Sequence, residues 1–487
     1  MLGLHQKKIL TVLCLALGLP LLFFYGCSST KIDQVKRGAG YQYRPGFPEL
    51  RMTSSGLLDA NDDALITISS EIVYGSLIYK KSDGFFEANA SIEIQIKNTD
   101  NDSVLAMNNR YVIQIKKENP NIVHSQETYL FEKEFNVSPG NYLVTVSLTD
   151  QETGKQTYRS ESTFIPNPKN SVKNITNIQI LSKRAGNISD TVHAFTPETT
   201  YDIPSSIDSL KFVFQVTNNR SDSPLTIYAK LIRFRSDSSI ARPMTFGNYY
   251  PSSLPYKGID YDKVEEMSST RRVLNEPGSV LIEFVFPALE RGNYRLEVSS
   301  IADDEKEDEN TLYKARDFSI KSPNYPALMS TKELAKPLFY LMTEKEYKAL
   351  MKIEDDDLLK NAIDRFWLSN IKNSITARNV VSLYYARVEE ANKQFSSFKE
   401  GWKTDAGMIY ILFGPPWVVD VRLDEMKWSY SYNLSDPEKN FYFRTPKIKN
   451  KYYPFDNYLL LRNSAYYNTQ YQQIQLWLSG QILKRSI

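Results

Sequence analysis

Ala90-Ser91-Ile92-Glu93-Ile94-Gln95-Ile96 alternates apolar and polar side chains without a break. A period of two places one face of a strand in a core and the other in water, so this run predicts a half-buried antiparallel strand. Outward from it lie Ala64-Leu65-Ile66-Thr67-Ile68, the stretch from Ile72 to Tyr79, and Tyr111-Val112-Ile113-Gln114-Ile115, all read as strands. Asn98 to Asp102 is a polar turn cluster between strands. Pro139-Gly140 turns the chain into a strand from Asn141 to Asp150, and a second hairpin is expected at Thr149 to Lys155. Short strands at this spacing predict a β-sandwich over residues 63–168. The theme recurs over 169–322, with Leu210 to Val216 alternating and a strand–turn–strand unit from Leu281 to Val298. There Gly292-Asn293-Tyr294 echoes Gly140-Asn141-Tyr142.

The period then changes to 3.6. Ser330-Thr331-Lys332-Glu333 and Thr343-Glu344-Lys345-Glu346 both fit a capping box, in which Ser/Thr and Glu satisfy free N–H groups at a helix start. Apolar faces follow at Tyr347, Leu350 and Met351, at Leu358, Leu359, Ala362, Ile363, Phe366 and Trp367, and at Val381, Tyr384, Tyr385, Val388, Ala391 and Phe395. Residues 323–400 are thus read as a helical segment. Asp355-Asp356-Asp357 stands where negative charge complements a helix dipole, and is read as a helix start rather than a metal cluster. The acidic run Asp303 to Glu309 lacks the spacing of a calcium loop and is read as a solvated hairpin tip.

Next comes Gly401-Trp402-Lys403-Thr404-Asp405-Ala406-Gly407-Met408-Ile409-Tyr410-Ile411-Leu412-Phe413-Gly414-Pro415-Pro416. With Lys427-Trp428-Ser429-Tyr430 behind it, this resembles the signature of the GWxTD domain family of bacterial envelope proteins, over about residues 325–487. The fold class expected is multidomain and mostly β: two tandem immunoglobulin-like β-sandwiches, a helical segment, and an α+β GWxTD domain over 401–487. Physically the signature reads as a corner. Gly401 is expected to end a helix with a positive φ. Trp402 brings a large ring, Thr404 and Asp405 fix a turn, and Gly407 allows close backbone approach before a strand from Met408 to Phe413. Gly414 and Pro415-Pro416 turn the chain without the spacing of a phosphate-binding loop. Strands are expected at Val418 to Leu423, Lys427 to Tyr432, Asn440 to Arg444 and Tyr458 to Arg462.

The opening of the chain reads as an address. Lys7 and Lys8 precede an apolar stretch from Ile9 to Tyr25, then Gly26 and Cys27. This order predicts a lipoprotein signal peptide over 1–26, with acylation of Cys27. An uncleaved anchor helix is the alternative, and Pro20 interrupts it. Residues 27–62 are expected to be a lipidated tether. Ser28 rather than Asp after the cysteine favours the outer membrane, facing the periplasm. Of two cysteines, Cys14 leaves with the signal and Cys27 carries lipid, so no Cys nucleophile, disulfide or Cys metal site is expected. Of three histidines His5 also leaves with the signal, and His124 and His193 are too few for a His-based zinc site. Lys+Arg is 59 against 57 Asp+Glu, and loss of Lys7 and Lys8 leaves 57 against 57, which is no footprint for nucleic acid.

These observations lead to a non-enzymatic scaffold or accessory subunit of an envelope or secretion assembly, with no cofactor and no metal. Its membrane contact is the lipid on Cys27, and its partner is an envelope protein. The interaction candidates are Gly401, Trp402, Thr404, Asp405, Gly407, Tyr410, Gly414, Pro415, Trp428 and Tyr430. Two alternatives stand beside it. One is a peptidoglycan- or glycan-binding module using Tyr452-Tyr453 and Tyr466-Tyr467 as stacking platforms. The other is a hydrolase using Asp405 with help from Tyr410, for which the spacing supplies no second acid, His or Cys.

Overall fold

The run that opens the sequence reading forms the middle of strand β4. The strands of the first body are β1 (Leu50–Leu58), β2 (Ala64–Val73), β3 (Lys80–Ser82), β4 (Phe85–Asn98), β5 (Leu105–Lys117), β6 (Thr128–Asn136), β7 (Gly140–Asp150) and β8 (Gln156–Ile165). These come from a computed structural model that describes residues 35–36, 43–100, 104–169, 173–184, 195–219, 224–248, 258–300, 311–433, 435–445 and 458–484. β4 lies between β5 and β7 in an antiparallel sheet, with Ile92, Ile94 and Ile96 opposite Leu148, Val146 and Val144 of β7. A second sheet of β1, β2 and β6 closes over that face, and Met52, Ile66 and Ile68 meet the β4 and β7 side chains in one core.

Two expectations change here. Leu50–Leu58, read as part of a tether, is a strand paired along its length with β2. Its Leu50 and Met52 are fully buried, so this body begins before residue 63. The polar Thr53-Ser54-Ser55-Gly56 run hid the strand, because its hydroxyls are satisfied inside: Ser54 N–H and Oγ both donate to Glu161. The two strands expected within 64–79 are one strand, ended by a 3-10 turn at Tyr74–Ser76. Gly75 permits that turn, since a Cβ there would lie 2.7 Å from the Ser125 carbonyl oxygen.

The second body repeats the plan. Its strands are β9 (Asn174–Ile175), β10 (Gln179–Arg184), β11 (Thr196–Pro197), β12 (Asp202–Pro204), β13 (Ile207–Asn218), β14 (Leu225–Ser236), β15 (Ile259–Leu274), β16 (Gly278–Pro287), β17 (Gly292–Ser299) and β18 (Tyr313–Lys321). One sheet runs β18-β17-β14-β15 with β12 parallel to β18, and the other runs β16-β13-β10-β11 with β9 also on β13. Phe212, Phe214, Tyr294 and Phe318 fill the space between them. The two bodies are joined by hydrogen bonds: Gln215 on β13 accepts from Leu58 N–H at 2.8 Å and donates to Leu58 C=O at 3.0 Å.

The C-terminal part carries α1 (Thr331–Ala335), α2 (Glu344–Leu350), α3 (Asp356–Asn370), α4 (Ser374–Phe395), α5 (Asp405–Phe413) and α6 (Tyr466–Leu478). A small antiparallel sheet runs β19 (Val418–Val421), β20 (Glu425–Ser429), β21 (Asn440–Arg444) and β22 (Leu459–Leu460). Both capping boxes form, at Ser330/Glu333 and Thr343/Glu346. Asp355 caps α3 by accepting from Leu358 N–H. Residues 323–400 and 401–487 are not separate layers: α3, α4, α5, α6 and the small sheet share one core, which also takes Ala241 and Met244 from the second body. Among the described residues, no helix is long and apolar enough to cross a membrane, and no group of His, Cys, Asp and Glu is placed to hold a metal. The segments 1–26 and Cys27, the acidic run Asp303 to Glu309, and Tyr452-Tyr453 lie outside the described residues.

Candidate functional site

α4 ends at Phe395, and the chain doubles back through residues 397–400 into a 3-10 turn at Gly401–Lys403. Gly401 sits against the flank of α4, where a Cβ would lie 1.9 Å from the Ala391 carbonyl oxygen. Its φ is outside the left-handed region, so close approach, not a positive φ, requires the glycine. The turn is stitched to α4 from both neighbours: Gly401 N–H donates to Ser396 Oγ at 2.8 Å, and Trp402 N–H donates to Asn392 Oδ1 at 3.2 Å. Trp402 is buried edge-on to Tyr340, whose hydroxyl donates to the Trp402 carbonyl at 2.6 Å.

Thr404 converts the turn into a helix start. Its hydroxyl donates to Gly401 C=O at 2.7 Å and accepts from Gly407 N–H at 2.9 Å, which satisfies an otherwise orphaned donor of the first turn of α5. Gly407 then faces Gly401, and a Cβ on it would lie 1.9 Å from the Gly401 carbonyl oxygen. The two glycines are therefore one device: each removes the side chain that would hold α4, the turn and α5 apart.

The stretch expected as a strand, Met408 to Phe413, is thus the body of helix α5. All nine residues of α5 are buried, so no polar face marks the 3.6 period. An apolar run of this length is ambiguous by periodicity alone. The punctuation that decides it, Thr404 before the run and Gly414 after it, was present in the sequence. Gly414 has a φ of +84°, and its N–H donates to Tyr410 C=O at 2.7 Å. The open carbonyls at the end of α5 receive donors from two other helices. Leu412 C=O accepts from Gln473 Nε2 at 2.6 Å and Trp477 Nε1 at 2.9 Å, while Arg387 on α4 donates to Ile411 C=O at 3.3 Å. A cation there also complements the helix dipole.

Asp405, the one acid of the signature, has a partner that the sequence did not reveal. Arg462 Nη2 donates to Asp405 Oδ1 at 2.7 Å and Nη1 donates to Oδ2 at 2.9 Å, with both side chains essentially without solvent exposure. Leu460 N–H of β22 donates to the same carboxylate at 2.8 Å. Arg462 also donates to the carbonyls of Arg242 and Pro243 at 3.0 and 3.1 Å, and its own N–H donates to Asn248 Oδ1 at 2.8 Å. One guanidinium therefore ties the signature, the small sheet and a loop of the second body together. Only the fold brings it near, 57 residues from Asp405.

The remaining candidates lie in the same core. Tyr410 donates to Glu390 on α4 at 2.5 Å; burial and that carboxylate push its hydroxyl well above the usual tyrosine range. Trp428 packs between Phe395 and Phe443, and Tyr430 donates to Gly414 C=O at 2.7 Å. Pro415 alone is exposed. Tyr466 and Tyr467 do not form a stripe: Tyr466 is buried and donates to Asn440 C=O, while Tyr467 is 69% exposed. The apolar surface lies elsewhere, on Trp417, Val418, Val419, Val421, Leu423 and Tyr432 around β19. Trp417 packs on Tyr432 with ring centroids 4.5 Å apart. Among the described residues β19 pairs with β20 alone.

A mostly β protein whose C-terminal part is folded around a buried Gly-Trp-x-Thr-Asp corner is the class defined by this arrangement. The GWxTD domain model matches residues 305–479, and this part of the chain is a GWxTD domain. Among solved structures the chain is similar to red sea bream transglutaminase at 9% identity, covering 57% of this chain and 32% of that one with a TM-score of 0.19. It is also similar to the native conformation of the E. coli alpha-2-macroglobulin at 14% identity, covering 56% and 16%, with a TM-score of 0.17. This chain therefore spans about a third or less of the length of either. No curated protein matches it.

Proposed function

We propose that this protein is a non-enzymatic envelope lipoprotein, held on the periplasmic side of the outer membrane by acyl chains on Cys27 and serving as a scaffold or accessory subunit of an envelope or secretion assembly. The observation that carries the scaffold reading is the state of Asp405. It is sealed from solvent in a two-toothed pair with Arg462 and accepts a third bond from Leu460 N–H. A carboxylate so held fixes a corner and offers no proton-transfer group to a substrate. Trp402, Tyr410, Trp428 and Tyr430 are spent on the same core, so partner binding falls to a different surface. That surface is the edge of β19 that has no partner strand among the described residues. Its backbone donors and acceptors and its flanking valines and aromatics match an extended segment of a protein partner added as a further strand.

The sheet pairs are read as immunoglobulin-like sandwiches. In support, Tyr142 donates to Ser138 C=O at 2.6 Å and Tyr294 donates to Glu290 C=O at 2.8 Å, a tyrosine-corner arrangement at the same place in each body. The test of the function is in-cell photo-crosslinking from position 419 and, as a control, from exposed position 158 on β8. One or two envelope proteins captured from 419 alone, and lost in Val419→Lys, support the proposal. No capture from 419, or equal capture from both positions, overturns it. Loss of lipid labelling in Cys27→Ser tests the anchor separately.

A further inference from the structure

β15 (Ile259–Leu274) is the edge of its sheet, and among the described residues it pairs with β14 alone. From Val264 to Val273 every residue is exposed, on both faces of the strand. Its neighbour β14 is covered: Ile227, Ala229 and Leu231 are buried in the core between the two sheets. β15 therefore overhangs the sandwich, with Val264, Met267 and Val273 in water. A long exposed edge is a template for another strand, and proteins commonly blunt it with proline or by keeping it very short. This one has neither device.

The sequence of the overhang selects its partner. Val264-Glu265-Glu266-Met267-Ser268-Ser269-Thr270-Arg271-Arg272-Val273 carries two acids in its first half, two arginines in its second and a valine at each end. Laid antiparallel on a copy of itself, it sets each acid against an arginine. Laid parallel and in register, it would set each acid against the same acid, and like charges directly opposite are destabilising.

Register decides whether the antiparallel match can form. Residues opposite one another share a face of the sheet, so a regular strand on a two-fold axis pairs only positions separated by an even number of residues. Glu266 and Arg271, like Glu265 and Arg272, are separated by an odd number. A regular strand would put them on opposite faces. β15 is not regular: Leu231 of β14 faces Ser268 and Ile232 faces Glu266, so Met267 is the extra residue of a β-bulge. The bulge shifts the alternation by one. With the axis through Ser269, that residue meets its own copy and Ser268 meets Thr270. Beyond the bulge Glu266 meets Arg271, Glu265 meets Arg272 and Val264 meets Val273, each pair on one face. Within the chain Glu265 and Glu266 reach Arg233 and Lys230 of β14 at 4.0 and 3.8 Å, with 67% and 49% of each acid exposed. Arg272 lies over the Phe284 ring at 5.6 Å. The match leaves these contacts in place: each acid then lies between a cation of β14 and an arginine of the copy.

We infer that this protein forms a two-fold homodimer in which β15 pairs antiparallel with β15 of a second copy about Ser269, joining two β18-β17-β14-β15 sheets into one. In such an isologous contact each copy supplies both halves of every pair, so each acid–arginine match occurs twice. The dimer edge and the β19 edge are different strands, so either proposal can fail without the other.

Sedimentation of the full chain in detergent, across a dilution series, tests the assignment. A particle of two chains that dissociates on dilution is expected. Glu266→Arg sets arginine against Arg271 at both ends of the contact and should weaken the dimer at least ten-fold. Glu266→Arg/Arg271→Glu restores the pair with its signs reversed and should recover the dimer. Ser269→Cys gives a second reading that leaves the charges alone. Directly opposed residues of an antiparallel pair have Cα atoms about 4.5–5.5 Å apart, within disulfide reach. Mild oxidation should therefore link two copies through position 269, while Tyr158→Cys on exposed β8 and the parent chain with its own cysteines stay unlinked. Val419→Lys should leave the dimer unchanged, which separates this result from the test of the β19 edge. A single-chain particle at every concentration, a dimer indifferent to Glu266→Arg or not recovered by the reversal, or linkage at 158 as strong as at 269 overturns the inference.

Discussion

Removing the Asp405 carboxylate should unlock the C-terminal domain, and the structure sets the scale. In Asp405→Ala, Arg462 keeps its charge with no measurable exposure and loses both bonds of the fork, at 2.7 and 2.9 Å. Breaking a buried pair from one side costs about 3–5 kcal/mol, because the surviving charge is uncompensated. The Arg462 bonds to Arg242, Pro243 and Leu460 carbonyls pull toward the lower end, while the orphaned Leu460 N–H pulls toward the upper. The assay is built into the chain. All five tryptophans, Trp367, Trp402, Trp417, Trp428 and Trp477, lie in the GWxTD domain, so selectively excited tryptophan fluorescence follows that domain alone. With an m value of about 2 kcal/mol per molar urea, the midpoint should drop by roughly 2 M. In Asp405→Ala/Arg462→Met both charges are gone. The double variant should therefore be less destabilised than the sum of the singles by about 2 kcal/mol or more. A single-variant loss under about 1 kcal/mol, or strict additivity, would refute the account of the corner as an electrostatic lock.

Gly407→Ala should destabilise by at least about 2 kcal/mol, since the new Cβ meets backbone that cannot swing aside, whereas Gly247→Ala, with open space around it, should stay within about 0.5 kcal/mol in the same urea assay. Trp402→Ala should cost about 3–5 kcal/mol by emptying a buried site, read by loss of the cooperative unfolding transition at neutral pH. The Glu400 carboxyl, which burial works to raise but Lys403 and Arg291 hold at about 2 against an ordinary 4.5, contributes stability that is complete above pH 4.5 and lost as pH falls toward 2. That is worth roughly 3 kcal/mol, and Glu400→Gln should flatten this acid limb in a pH series of urea midpoints.

Sequence alone determined what local chemistry can specify. Period-two patterning gave β4, β5, β7 and β13, because a strand half in water must alternate. The two capping boxes and the Asp355 cap are read within four residues, the reach of one helical turn. The signature from Gly401 to Pro416 was legible as a corner for the same reason. Burial on every side erased other elements. α5 has no polar face to show its period, and β1 hides its strand in Ser54 and Ser55, which are satisfied by Glu161 and Gln179, 107 and 124 residues away. Only the tertiary structure decided the reasons for the signature letters: Gly401 for the backbone of α4, Gly407 for Gly401, and Asp405 for Arg462. Close approach and buried charge pairing depend on distances between segments far apart in the chain, and local spacing carries no record of those distances.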